Sequence, residues 1–139
     1  MSEATNNFVQ VTPFLVVQDV EAAVAFFRDV LGFAVWRMPG GSYAYVHRET
    51  VGFRILQAGP GNEFVPGHRR FAHYIDVKDV DALYAELKPK LDLLPPGDVH
   101  GPADKNYGQR ELLVLAPDGN LIAFGHEIFN KMVKEEPAS

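Results

Sequence analysis

The pattern of apolar and polar residues repeats once along the chain, and the second copy begins at Asp79, 60 residues after Asp19. After each aspartate, apolar residues recur at the three- and four-residue spacing of one helix face. Both aspartates are placed to accept hydrogen bonds from the free N–H groups of a first helical turn. Gly32 is placed to end the first helix in the left-handed conformation that glycine adopts cheaply. The pattern therefore predicts helices over 19–31 and 79–89.

Runs rich in β-branched and aromatic residues flank both helices and predict strands. The first half gives strands over 9–17, 34–38, 42–47 and 51–57, and the second half over 71–77, 110–115 and 120–126. A further, poorly defined strand is expected between residues 92 and 100. Asp118 and Gly119 favour a tight hairpin turn, because both residue types tolerate left-handed backbone angles. Each half has the order β-α-β-β-β, which predicts an α+β fold built from two tandem units.

The length of 139 residues fits one domain that buries a substantial core, and 47% of the residues are hydrophobic. We expect a first unit over about 8–58, a linker over 59–69, a second unit over about 70–127 and a C-terminal tail over 128–139. The tail is expected to begin with a short helix over 128–134 and to be disordered beyond it.

Charge and composition narrow the classes of function. The net charge is −5, and the densest basic run, residues 68–70, is too short to follow a phosphate backbone, so nucleic acid is not an expected partner. No apolar run of about 18 residues predicts a membrane span, and the N-terminus lacks the pattern of a signal peptide. The chain has no cysteine, which excludes disulfides and thiolate metal sites and agrees with an expected cytoplasmic location.

Five short motifs carry a family resemblance. They occupy residues 17–20, 26–33, 77–87, 107–111 and 117–122, and Pro13 stands where the related proteins place a proline in their first strand. In this order and spacing the chain resembles the vicinal oxygen chelate superfamily (glyoxalase/bleomycin resistance protein/dioxygenase), in particular its bleomycin-resistance-like branch, over about residues 11–126. The resemblance implies that each unit curls into a half-open barrel around a cavity and that two chains form a homodimer.

Metal-using members of the superfamily bind a divalent ion through His, Glu or Gln on the first and last strands of each unit. The resemblance places these positions at Thr12, Arg54, Ala72 and Ala123. Two of them have no donor atom and one is a permanent cation, so neither a metal nor another cofactor is expected. A register shift of one residue would bring in His73 but would turn the apolar face of that strand away from the helix. His73 is instead expected to be a buried or half-buried imidazole with a hydrogen-bond partner.

Strand alternation and the resemblance together give the expected ligand-binding residues. Side chains expected to face the cavity are Tyr43, Tyr45, His47, Arg54, Leu56, Tyr74 and Asp76, with Trp36 and Tyr107 at the rim. Core packing is the alternative role for each aromatic residue. Because a guanidinium inside a barrel needs a partner, Arg54 is expected to pair with Asp76 or Glu111, or else to bind a carboxylate or phosphate of the ligand.

These features predict a metal-free protein that binds rather than turns over its ligand, sequestering an aromatic or planar small molecule such as an antibiotic in a dimer cleft. The single tryptophan, Trp36, argues against bleomycin itself. One alternative is a metal-dependent lyase or oxygenase of the glyoxalase or dioxygenase type. Another is a metal-free enzyme in which His47 or Asp76 acts as general base and Arg54 stabilises negative charge.

Overall fold

The computed structural model of the protein describes residues 7, 9–37, 40–59 and 71–128. The predicted linker lies almost wholly outside these residues, and so does the predicted helix of the C-terminal tail. Within the described residues the chain forms eight strands and two α-helices, in the order that the sequence pattern predicts.

The elements of the two halves correspond one to one. The first half contains β1 (Phe14–Val17), α1 (Val20–Ala25), β2 (Ala34–Arg37), β3 (Tyr43–Arg48) and β4 (Val51–Gln57). The second half contains β5 (Phe71–Asp76), α2 (Val80–Leu91), β6 (Val99–Asp104), β7 (Gln109–Ala116) and β8 (Asn120–Glu127). A π-helical turn at Phe26–Val30 continues α1, and short 3-10 turns at Pro96–Asp98 and Pro117–Gly119 lead into β6 and β8.

Each half forms one four-stranded mixed sheet, and the two sheets have the same topology. The strand order is β1-β4-β3-β2 in the first sheet and β5-β8-β7-β6 in the second. The first and last strands of each half pair in parallel, which places Phe14 beside Arg54 and Tyr74 beside Ala123. The remaining pairs are antiparallel, and neither sheet closes on itself. The predicted α+β fold with two tandem β-α-β-β-β units is therefore confirmed.

The helix signals of the sequence act as predicted. The Asp19 carboxylate accepts from two backbone N–H groups of the first turn, at 2.9 and 3.3 Å, and the Asp79 carboxylate accepts from one at 3.0 Å. Gly32 ends the first helical segment with a φ of 78°. Asp118 and Gly119 also have positive φ, which fits the predicted tight turn between β7 and β8.

Two predicted strands differ from the structure by more than one residue at an end. β1 begins at Phe14 rather than at residue 9, because Pro13 has no N–H group to add to the ladder. The poorly defined strand predicted between residues 92 and 100 lies instead at Val99–Asp104. Pro95 and Pro96 begin a 3-10 turn there, and their fixed φ angles and missing N–H groups exclude strand pairing before Val99.

Both helices and the covered faces of both sheets share one hydrophobic core. Its largest fully buried side chains include Phe27, Phe53, Leu15, Leu31, Ile55, Leu112 and Ile122. The π-helical turn directs Phe27 against Phe33 and Phe53, with ring centroids 5.2 and 5.5 Å apart. Burying a side chain of this size contributes about 1.5–3 kcal/mol, so the common core is the main force that holds the two sheets together.

Contacts between the two halves also occur outside the aliphatic core. Arg48 donates to Glu86 of α2 at 2.7 Å and to the backbone carbonyl of Leu31 at 2.9 Å. Phe53 of the first sheet contacts the imidazole of His73 edge to face, with centroids 5.5 Å apart. Neither helix has the length and apolar character that crossing a bilayer demands, as far as the described residues go.

His73 departs from its expected environment in one respect. It lies beside Ile122, on the same side of the strand as the buried Ile75, as the unshifted register predicts. The expected hydrogen-bond partner is absent, because Nε2 is buried and has none within the described residues. Burial lowers the pKa of this imidazole below its ordinary value, since the protonated form would carry an unpaired charge between the two sheets.

The depressed pKa of His73 predicts a loss of stability in mild acid. The unfolded chain binds the proton at an ordinary histidine pKa near 6.5, and the folded chain binds it only at lower pH. The free energy of unfolding should therefore fall as the pH decreases below about 6.5. The measurement is urea denaturation of wild type and His73→Leu between pH 7.5 and 5. The variant should lose less stability in acid; parallel curves for the two proteins would contradict the prediction.

Candidate functional site

One face of each sheet is left open because the helices cover the other. Along β3 and β4 the buried residues Ala44, Val46, Phe53 and Ile55 alternate with residues that reach the surface. The first open face carries Phe14, Trp36, Tyr43, Tyr45, His47, Arg54 and Leu56. The second carries Tyr74, Asp76, Glu111, Leu121 and Ala123, with Tyr107 at its edge.

Arg54 lies at the centre of the first open face. Its Nη1 donates to the Tyr43 hydroxyl at 2.6 Å, and its guanidinium carbon lies 5.8 Å from the centroid of the Tyr45 ring. This distance permits a cation–π attraction of about 0.5–1 kcal/mol at an exposed position. The expected internal pairing of Arg54 with Asp76 or Glu111 is wrong, because those carboxylates belong to the other sheet and no described carboxylate lies within 4.0 Å of Arg54.

Two further aromatic contacts extend this face on either side of Arg54. The rings of Trp36 and Tyr43 meet edge to face, with centroids 6.3 Å apart. On the other side, His47 stacks on Tyr45 at 5.7 Å, with 22° between the ring planes. Trp36 is 54% exposed, so the face presents a broad aromatic surface to solvent. Strand alternation predicted the side on which these residues lie, and core packing is not their role in the chain as described.

The second open face is organised around the carboxylate of Glu111. This side chain is only 6% exposed, and the Tyr107 hydroxyl donates to it at 2.8 Å. The Tyr74 hydroxyl donates to Gln109 at 3.0 Å. Burial and the nearby Glu111 carboxylate raise the pKa of Tyr74 far above its ordinary value, and the Glu111 hydrogen bond raises the pKa of Tyr107. Both tyrosines therefore stay protonated and act as hydrogen-bond donors.

Two glycines allow tyrosine rings to lie flat against the sheets. A methyl group at position 52 would overlap the hydroxyl of Tyr45, and one at position 125 would overlap the hydroxyl of Tyr74. At position 125 it would also lie 2.7 Å from Cζ of the Tyr74 ring. Gly52 and Gly125 are therefore part of the two faces, although they carry no side chain. Strand alternation places both glycines on these faces, but nothing in the sequence pattern indicates this role.

The nine predicted ligand-binding residues fall into two groups on different sheets. Trp36, Tyr43, Tyr45, His47, Arg54 and Leu56 lie on the first open face, and Tyr74, Asp76 and Tyr107 lie on the second. No hydrogen bond, ion pair or ring contact joins the two groups in the part of the chain that the structure describes. Because the covered faces meet in the common core, one chain offers two separate half-sites rather than one closed cavity.

Two cavities border these elements. One, of about 510 Å³, adjoins Glu111 on the second sheet and is lined also by His100, Ala103 and Leu113. The other, of about 420 Å³, lies between the two halves near the Arg48–Glu86 ion pair. Both volumes are within the range of small-molecule sites. Glu111, which the sequence suggests only as a partner for Arg54, is the principal polar group of this face that the sequence pattern does not reveal.

The residues at the expected metal-ligand positions do not fit a metal. Arg54 and Ala123 lie on β4 and β8, the last strands of the two halves, while Ala72 lies on β5 and Thr12 just before β1. A guanidinium, two methyl groups and a single hydroxyl provide no set of converging lone pairs for a divalent ion. Elsewhere in the described residues, no three His, Asp or Glu side chains converge on a point that could hold one.

Comparison with known proteins agrees with this picture. Residues 10–47 match a family model described as Bleomycin resistance protein-like N-terminal. A bleomycin resistance protein of Geobacillus stearothermophilus is 27% identical over 135 residues, covering 86% of this chain and 98% of the relative.

Solved structures show the same fold. A glyoxalase/bleomycin resistance protein/dioxygenase from Nocardioides has a TM-score of 0.70 at 20% identity. The alignment covers 96% of this chain and 91% of the Nocardioides chain. The bleomycin-binding protein of Streptomyces verticillus, complexed with copper(II)-bleomycin, has a TM-score of 0.68 at 26% identity. The alignment covers 89% of this chain and 98% of the Streptomyces chain.

The fold and these relatives define what the chain is similar to: it shares the fold of the vicinal oxygen chelate superfamily, and its similar proteins include bleomycin resistance and bleomycin-binding proteins. The similarity is to the bleomycin-resistance-like branch, because the matched family model and the curated relative are both of that kind. The resemblance seen in the sequence motifs is thereby confirmed.

The contact between Tyr74 and Gly125 predicts a specific steric coupling. Gly125→Ala should displace the Tyr74 ring and destabilise the protein by about 1–3 kcal/mol, a typical cost of overpacking. Replacing the ring in Tyr74→Leu should remove most of that added cost. A double-mutant cycle measures this by comparing the free energies of unfolding in urea. Gly97→Ala is the matched control, since a methyl group there meets no atom within 4 Å. Strictly additive effects of the two changes would contradict the predicted contact.

Proposed function

We propose that the protein binds and sequesters an aromatic or planar small molecule, such as an antibiotic, without converting it. The observation that carries this proposal is the pair of aromatic open faces, each with tyrosines fixed by hydrogen bonds or by packing on glycine. Offset-stacked or edge-to-face ring contacts contribute about 0.5–1.5 kcal/mol each beyond the area that they bury. Several such rings on one surface favour ligands with flat ring systems.

A homodimer completes the proposed site. The first face exposes 56% of Phe14 and 54% of Trp36, and the second exposes 45% of Tyr74 and 54% of Tyr107. Contiguous exposed apolar surface of this kind is typical of interaction sites. The faces are also opposite in charge, with Arg54 on the first and Asp76 and Glu111 on the second. In a two-fold dimer the first face of one copy can cover the second face of the other, which makes two equivalent clefts.

Binding without turnover is favoured by the chemistry of the side chains. A glyoxalase or dioxygenase mechanism of this superfamily needs a metal, and Arg54 and Ala123 occupy ligand positions of that site. In the metal-free alternative His47 or Asp76 is the general base and Arg54 stabilises negative charge. His47 stacks on Tyr45 at an exposed position with no orienting carboxylate in its described surroundings, and Asp76 lies on the other sheet from Arg54. Among the similar proteins are a bleomycin resistance protein and a bleomycin-binding protein, which supports the binding role.

Ligand binding should be measurable by calorimetry and by the fluorescence of Trp36, the only tryptophan in the chain. Bleomycin and a set of planar aromatic drugs are the probes, and we expect saturable binding of at least one of them. Tyr45→Ala and Tyr107→Ala should each weaken that binding by about 1–3 kcal/mol through lost stacking and buried area. Leu93→Ala is the control, because Leu93 is 79% exposed and follows α2, which packs on the covered side of the sheets. Failure of every probe to bind would remove the proposal.

The same two variants locate the site between subunits. In a dimer formed from one Tyr45→Ala chain and one Tyr107→Ala chain, one cleft carries both changes and the other carries neither. Refolding an equal mixture should therefore restore wild-type affinity at about a quarter of all clefts, if the copies combine at random. A site contained within a single chain would show no such recovery, and the proposed cleft between subunits would be wrong.

Measuring the metal content distinguishes the proposed metal-free binding protein from the alternative of a metal-dependent lyase or oxygenase. Elemental analysis of the purified protein should find no stoichiometric divalent metal, since the residues at the ligand positions lack suitable donors. Addition of Zn²⁺, Ni²⁺, Mn²⁺ or Fe²⁺ should leave the affinity for the bound probe unchanged and produce no turnover of methylglyoxal–glutathione adduct or catechol. A tightly bound metal at one equivalent per chain would overturn the proposal of a metal-free binder.

A further inference from the structure

We infer that Arg54 and Tyr43 form an anion-binding pair on the first open face, so that the preferred ligand carries an anionic oxygen group, such as a carboxylate or sulfonate, beside its planar rings. This inference rests on the proposed function and makes its ligand class more specific. Three observations support it. Arg54 lacks the carboxylate partner that the other arginines with described side chains have, it donates its hydrogen bond to Tyr43, and the Glu111 carboxylate of the second face already accepts a hydrogen bond.

Arg54 differs from the other arginines whose side chains the structure describes. Arg28 pairs with Asp29, Arg48 with Glu86, and Arg110 with both Asp81 and Asp104, all at 2.7–3.0 Å. For Arg54 the described residues provide no carboxylate within 4.0 Å, and its contacts are the Tyr43 hydroxyl and the face of Tyr45. A guanidinium has five N–H donors in a planar fork, and one hydrogen bond leaves most of them directed to the open face.

The hydrogen bond between Arg54 and Tyr43 also fixes the orientation of the hydroxyl group. Arg54 Nη1 donates at 2.6 Å, so the phenol oxygen acts as acceptor and its own proton points elsewhere. A phenol O–H beside a guanidinium fork gives a compact group of donors that matches the oxygens of a carboxylate or sulfonate. Trp36 and Tyr45 border this group, which places ring-stacking surface next to the anion-binding donors.

The second open face does not offer its charge in the same way. Glu111 is 6% exposed, and its carboxylate already accepts the Tyr107 hydroxyl. The hydroxyl of Tyr74 is likewise engaged, with Gln109 as acceptor. In the proposed cleft this face therefore provides aromatic surface, engaged hydroxyl groups and the exposed Asp76 at the end of β5, whereas the first face provides a cation with free donors. Among the described groups of the two faces, Arg54 is therefore the one that would receive an anionic group of the ligand.

Three probes with one ring system test this inference. They are anthraquinone-2-carboxylate, the neutral anthraquinone-2-carboxamide and the cationic 2-(aminomethyl)anthraquinone, with affinity measured by calorimetry and Trp36 quenching. We expect the carboxylate to bind at least about tenfold more tightly than the amide, as for hydrogen bonds to a charged group, and the cation to bind most weakly. Arg54→Met should abolish the preference while keeping the apolar part of the side chain. Tyr43→Phe should reduce it, and Arg28→Met should leave it intact.

The outcomes distinguish this inference from the proposed function. Equal binding of all three probes, or a preference that survives in Arg54→Met, would overturn the anion-binding pair while leaving the planar-ligand binder in place. Sedimentation of Arg54→Met measures dimerisation. Weaker dimerisation with an unchanged preference for the carboxylate probe would show that Arg54 pairs with a carboxylate of the second copy, and it would equally overturn the anion-binding pair. Binding of bleomycin but of none of the anthraquinones would also refute the inference alone. Failure of every probe, bleomycin included, would refute both.

Discussion

The alternation of side chains across a β-strand is the constraint on which the rest of this structure depends. In each sheet one set of residues packs under a helix and the other set must point away from it. The covered sets of both sheets meet in one core, with Phe53 of the first sheet against His73 of the second. Once this core forms, the remaining faces cannot cover each other within the same chain. The open aromatic surfaces are thus a consequence of how the core is built.

The two open faces share a topology but differ in chemistry. Arg54 and Ala123 occupy corresponding places on β4 and β8, each beside the first strand of its own half. A long cation at one place pairs with a tyrosine hydroxyl on the surface, whereas a methyl group at the other leaves room for Tyr74 to lie against Gly125. The repeated fold therefore gives two complementary surfaces instead of two copies of one, which is the condition for a cleft built from unlike faces.

Local signals in the sequence predicted most of the fold and the side of each strand on which the site residues lie. Asp19, Asp79 and Gly32 act through neighbouring backbone groups, so their roles can be inferred from a few residues. Partners that are distant in the sequence could not be inferred in this way. The partner of Arg54 depends on which sheet carries the acidic residues, and the unpaired Nε2 of His73 depends on how tightly the two halves pack. The separation of the site into two halves has the same long-range origin.

Because the expected ligand positions lack metal donors, the side chains of the proposed binding site must be positioned by other contacts. A bound ion would fix several side chains at once, whereas here each ring has to be held by its own contacts. Glycine beneath Tyr45 and Tyr74 limits where these rings can lie, and hydrogen bonds hold the hydroxyls of Tyr43, Tyr74 and Tyr107. Rings that are fixed before a ligand arrives lose little conformational entropy on binding, so more of the stacking energy appears as affinity. In the proposed binding site the glycines and the phenol hydrogen bonds would therefore fix the rings, as a metal ion fixes its ligands in a metal site.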